Sequence, residues 1–89
     1  MFATFTDWKF SDMDAMVSTG TALWPQVQAA GAISMTATAT GPDTARSRIV
    51  WPDAATAEAA IDGLRATAME MTDTKATAIA AGEVMLDFS

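Results

Sequence analysis

The sequence predicts one α+β domain in which two helices lie on one face of an antiparallel sheet. Three observations predict it. Apolar residues recur at helical spacing in two stretches, one between Ser11 and Gly31 and one between Asp53 and about Met71. The segments around those stretches alternate with period two. The turn signal Gly41-Pro42-Asp43-Thr44 joins the middle two of them as a hairpin. The resulting order, β-α-β-β-α-β, is the split β-α-β arrangement.

Each element has its own signature. Phe2 to Trp8 alternates and is rich in aromatics, the mark of a strand. Ser11 stands before the first helix with Asp14 three residues on, a capping-box pattern. Met13, Met16, Val17, Gly20, Leu23, Trp24 and Val27 share one face of that helix. Pro25 is expected to kink or break it, because the ring crowds the carbonyl of Thr21. Gly31 is the natural stop. Ala32 to Thr40 sets Ile33, Met35, Ala37 and Ala39 against Ser34, Thr36, Thr38 and Thr40, a strand with one apolar and one hydroxyl face. Ala45 to Trp51 is its hairpin mate. Asp53 caps the second helix, whose buried stripe is Ala57, Ala60, Ile61, Leu64, Ala68 and Met71. Lys75 to Phe88 reads as a last strand or two short ones, with Gly82 marking a bulge or break. The chain also echoes itself: a strand ending in Trp8 and a strand ending in Trp51 each lead through a cap into a helix.

Composition narrows the functions. Eighty-nine residues make one domain, residues 1–89, with a core small enough to need support. There is no cysteine, so disulfides and thiolate metal sites are excluded. Association with a second copy is the support that remains, and an apolar content of 51% permits it. The first and last strands are apolar on both sides, with Phe2 and Trp8 opposite Ala3 and Phe5, and with Val84, Leu86 and Phe88 opposite Met85. A sheet of that kind wants cover on both faces. The expectation is a homodimer packed through the face that the helices leave open. The net charge is −6, with only Lys9, Arg46, Arg48, Arg65 and Lys75 basic. That argues against nucleic acid, which needs several clustered cations, and against anionic membrane surfaces. The uncharged run from Ala15 to Pro42 holds glutamines, a proline, glycines and many threonines, so it is not a membrane span. With no basic, apolar leader at the start, the cytoplasm is the expected compartment.

The stretch Ser47-Arg48-Ile49-Val50-Trp51-Pro52-Asp53, followed by Ala54-Ala55-Thr56-Ala57-Glu58-Ala59-Ala60, resembles the strand-to-helix join of the dimeric α/β-barrel superfamily. Gly31-Ala32 before the second strand and Gly82-Glu83-Val84 near the end fit as well. These are ferredoxin-like domains whose sheets pack into a shared barrel. They include the small cofactor-free monooxygenases of antibiotic biosynthesis, haem-degrading enzymes and stress-responsive proteins. The resemblance implies a ferredoxin-like fold and a homodimer. It does not fix a chemistry. The monooxygenases use combinations of Asn, Trp, Tyr, His and Arg around substrate, and of these only Trp and Arg occur here. An axial haem histidine is impossible without histidine.

The remaining chemistry is limited. Nucleophilic sites of the Ser-His or Cys-His kind cannot form, nor can a zinc site built on His or Cys. The five glycines are scattered and build no phosphate loop. Asp12 and Asp14 suit a helix N-terminus better than a cation, so neither metal nor cofactor is expected. Glu83 and Asp87 are expected to share a strand face, as an acid/base pair or as salt-bridge partners of Arg46 or Arg48. Arg46 and Arg48 alternate on one side of the hairpin, as a carboxylate-gripping fork or as an interface face. Trp24 beside Pro25, Gly20 one turn earlier, Met35 and Arg48 are the expected ligand-binding residues, at a pocket that a broken helix opens over the sheet. Three functions are open at this level. They are a binding protein for a small apolar or carboxylate-bearing molecule, a structural dimerising module, and a cofactor-free monooxygenase-like or isomerase-like enzyme.

Overall fold

A computed structural model describes residues 1–88. Its elements are β1 (Phe2–Phe10), α1 (Met13–Ala29), β2 (Ser34–Gly41), β3 (Thr44–Trp51), α2 (Ala54–Met71) and β4 (Thr74–Glu83). The strands form one sheet in the order β2-β3-β1-β4, antiparallel throughout. The β-α-β-β-α-β order and the two helices on one face are as the sequence predicts.

Strand parity decides what each side chain meets. Phe2, Thr4, Thr6 and Trp8 stand opposite Trp51, Ile49, Ser47 and Ala45. These side chains point to the helices, and most of the apolar ones join Leu23, Val27, Leu64 and Ala68 in the core. Each large one contributes about 1.5–3 kcal/mol by leaving water. Ala3, Phe5, Asp7 and Lys9 stand opposite Val50, Arg48, Arg46 and Thr44 on the face that no helix covers. The hydroxyl side of β2, Ser34, Thr36 and Thr38, lies on that face too.

The internal echo is physical. Trp8 donates its indole N–H to Ser47 Oγ at 2.9 Å, and Trp51 donates to Thr4 Oγ1 at 3.0 Å. The spacing that separates the two tryptophans also separates Thr4 from Ser47. The two halves thus anchor their indoles by the same diagonal bond across the β1–β3 seam, satisfying groups that would otherwise be costly to bury.

Several local expectations are corrected. The N-cap of α1 is Asp12, whose carboxylate accepts from the Asp14 N–H at 3.1 Å. Ser11 instead donates to Asp73 at 3.0 Å, tying the β1–α1 connection to the α2–β4 connection. Pro25 does not break α1, which runs continuously to Ala29. Pro25 and Thr21 both lie on the exposed side, where solvent replaces the lost backbone bond. β2 begins at Ser34, leaving Ile33 53% exposed outside it. β4 ends at Glu83, so Asp87 is on no strand and the pair with Glu83 does not form. The bulge is not at Gly82 but between Asp7 and Trp8, where Thr77 is the extra residue. Met71 is exposed rather than part of the buried stripe of α2. Asp53 caps α2 as expected, accepting from Thr56 N–H at 2.8 Å.

Gly31 closes α1 with a Schellman pair, Gly31 N–H to Gln28 O and Ala32 N–H to Val27 O. Its φ of 111° is a conformation that side chains disfavour. Among the described residues no helix is long and apolar enough to cross a membrane.

Candidate functional site

The site follows from a mismatch between the helices and the floor beneath them. α2 packs against β1, β3 and β4, whereas α1 leans chiefly on α2. Beneath α1 the sheet carries small residues, Ala37, Ala39, Ala45 and Ser47, and the helix itself has no side chain at Gly20. Neither layer fills the gap. The result is a cavity of about 290 Å³ between α1, α2 and the β2-β3-β1 part of the sheet. Its walls are mostly apolar: Met13, Met16, Val17 and Leu23 from α1, Met35 and Ile49 from the sheet, and Leu64 and Ala68 from α2.

The cavity lining includes a few polar groups. Thr6 and Ser47 are cross-strand neighbours, and both line the cavity. Ser47 Oγ accepts from Trp8, and Thr6 Oγ1 accepts from Arg65 Nε–H at 2.9 Å. Each hydroxyl still has its own proton to donate. Arg65 is the charged group of the lining and is 9% exposed. Its longer bonds reach Asp62 Oδ1 and the Phe5 carbonyl, both at 3.4 Å. Burial pulls its pKa below the usual value, and Asp62 opposes the shift. A guanidinium remains protonated at neutral pH even so. No carboxylate lines the cavity among the described residues. The chemistry on offer is hydrogen-bond donation at one end of an apolar chamber.

The residues singled out in the sequence divide. Gly20 and Met35 lie together in the cavity wall. Trp24 does not: α1 continues through Pro25, and Trp24 packs half-buried against the core. Arg48 is on the opposite face of the sheet, between Phe5 and Thr36. Arg46 is on that face too, in a two-pronged pair with Asp7 at 2.7 and 3.0 Å. The expected partners Glu83 and Asp87 play no part in it. Those bonds hold the Asp7 carboxyl below its usual pKa. Arg65, Thr6 and Ser47 escape a reading that looks only for apolar stripes. Their positions were nonetheless available: Arg65 falls in the Ile61–Leu64–Ala68 stripe, and Thr6 and Ser47 share parity with Trp8 and Ile49. Among the described residues no cluster of acidic side chains could hold a metal ion, and Asp12 is engaged as a cap.

Solved structures share this architecture from end to end. A protein of unknown function from Nitrosomonas europaea superposes with a TM-score of 0.72 at 18% identity, over 99% of this chain and 92% of that one. The chain has the ferredoxin-like fold. A dimeric ferredoxin-like protein from an uncultured marine organism matches at 0.67 and 13% identity, over 100% of this chain and 99% of its own. A candidate antibiotic biosynthesis monooxygenase from Deinococcus radiodurans matches at 0.65 and 14%, over 100% and 97%. No protein-family model matches the chain, and no curated protein does.

Proposed function

We propose that this domain binds a small, largely apolar organic molecule in the cavity under α1, and does so as a homodimer. The observation that carries the reading is the chamber itself. About 290 Å³ of space stands open in a chain of 89 residues, where close packing is the norm. Its apolar walls and convergent donors are the usual composition of a small-molecule site. Three methionines, Met13, Met16 and Met35, give walls that adapt to the guest.

The dimer reading draws on the uncovered sheet face and on the residues after β4. Phe5 sits at the middle of that face. Beyond Glu83, Met85, Leu86 and Phe88 are 90%, 73% and 92% exposed. A second copy would remove this apolar surface from water. The similar marine protein described as dimeric supports the reading.

The test is a titration of tryptophan emission with a thermal-shift measurement in parallel. Trp8 lines the cavity, so its emission should change as an apolar guest enters, and the melting temperature should rise with guest concentration. Turnover of the guest in the presence of oxygen would favour an oxygenase. No response from any guest, with melting governed by protein concentration alone, would favour a purely dimerising module.

A further inference from the structure

We infer that the guest of this cavity is a monocarboxylic acid with an apolar body, its carboxylate held by Arg65; this rests on the binding reading above. Arg65 reaches from α2 to β1. There it lines both the cavity under α1 and a second space, of about 320 Å³, between α2 and the β1–β4 pair. Glu58 also lines the second space, whereas no carboxylate among the described residues lines the cavity under α1, so a guest's carboxylate meets the guanidinium from the side of the cavity under α1.

The charge balance around Arg65 points to an anion. A buried cation needs a counter-ion or a full set of acceptors. The nearest carboxylate is Asp62, at 3.4 Å, but its side chain is 91% exposed. It belongs to the solvent side of α2. On the buried side Arg65 meets neutral oxygens only, Thr6 Oγ1 at 2.9 Å and the Phe5 carbonyl at 3.4 Å. A guanidinium has five N–H donors, so these contacts leave donors unspent. A carboxylate takes two of them side by side. The Thr6 and Ser47 hydroxyls, each with a proton to give, stand on the same cavity lining. The rest of the wall is thioether and hydrocarbon, which suits the guest's apolar body. The net charge of −6 repels anions at long range, so recognition must come from this local contact.

The experiment compares two probes of equal chain length, octanoate and 1-octanol, by calorimetric titration of the whole chain at pH 7. Octanoate should bind about tenfold or more tightly than 1-octanol, the effect of a charge-assisted hydrogen bond. Arg65→Met should erase that difference, octanoate then binding no more tightly than 1-octanol. Asp62→Asn removes the exposed competitor, so it should tighten octanoate and leave 1-octanol unchanged. If Arg65→Met fails to fold, the wild-type pair and Asp62→Asn still decide. Equal affinity of the wild type for both probes would overturn the carboxylate inference and leave the binding reading standing. Failure of both probes to bind would overturn both.

Discussion

Gly20 sits in the middle of α1, where glycine costs about 1 kcal/mol relative to alanine. Nothing steric requires it: a Cβ built there meets no atom within 4 Å. The same is true of Gly63 in α2, which is exposed and away from the cavity wall. The two glycines therefore form a controlled pair. Gly63→Ala should stabilise the protein by ~0.5–1 kcal/mol, a rise of about 2–8 °C in melting temperature for a domain of this size, without touching ligand binding. Gly20→Leu should also raise the melting temperature, but its side chain enters the cavity and should abolish the tryptophan response. Urea unfolding and an emission titration on the two variants check this. Gly31 is the opposite case. Its φ of 111° and a Cβ position 2.8 Å from Thr56 Cγ2 leave alanine strained and crowded. Gly31→Ala should cost ~1–3 kcal/mol, seen as a lower urea midpoint with the slope unchanged.

Among the elements, the pairing of β1 with β3 carries a pH dependence. Asp7 has a depressed pKa in the fold because Arg46 donates to it. Its contribution is therefore fully present above the pKa of an unfolded aspartate. It is lost as pH falls through the lower, folded value. Asp53 behaves alike, through the bonds from Thr56 that cap α2. Stability should fall as pH drops below the ordinary carboxylate range, and Asp7→Asn should make that fall shallower. Chemical denaturation at a series of pH values between neutral and strongly acidic is the measurement. The elements themselves are legible in the sequence where one physical signal dominates. Asp53 before an alanine-rich run gives the start of α2, and Gly31 gives the end of α1. Legibility fails where two signals compete. Pro25 argues for a break, but its helix side is solvated, so the break costs more than the lost bond. Ser11 and Asp12 both qualify as caps, and Asp73, distant in sequence, engages the first. The bulge opposite Asp7 has no glycine to announce it. The wall of the proposed cavity is half legible for the same reason. Gly20 and Met35 follow from helix and strand periodicity. Arg65 is hidden because a cation in a buried stripe reads as surface until its partner, Thr6 on another element, is known.

For the whole molecule, a small core, an uncovered sheet face and an exposed apolar segment after β4 call for a second copy. Sedimentation at micromolar concentration should give a dimer. Phe5→Asp, which places a charge at the centre of the uncovered face, should shift it to monomer. A wild-type monomer at that concentration would contradict the dimer reading. The binding claim has a more direct test, because the seven methionines are distributed as built-in reporters. Met13, Met16 and Met35 line the cavity, whereas Met69, Met71 and Met85 are exposed elsewhere. The measurement is a methyl NMR titration of ¹³C-methionine-labelled protein with 1-octanol. Shifts confined to Met13, Met16 and Met35 and saturating with concentration are the expected result. Unchanged signals from those three, or shifts only at Met69, Met71 and Met85, would contradict a ligand cavity under α1.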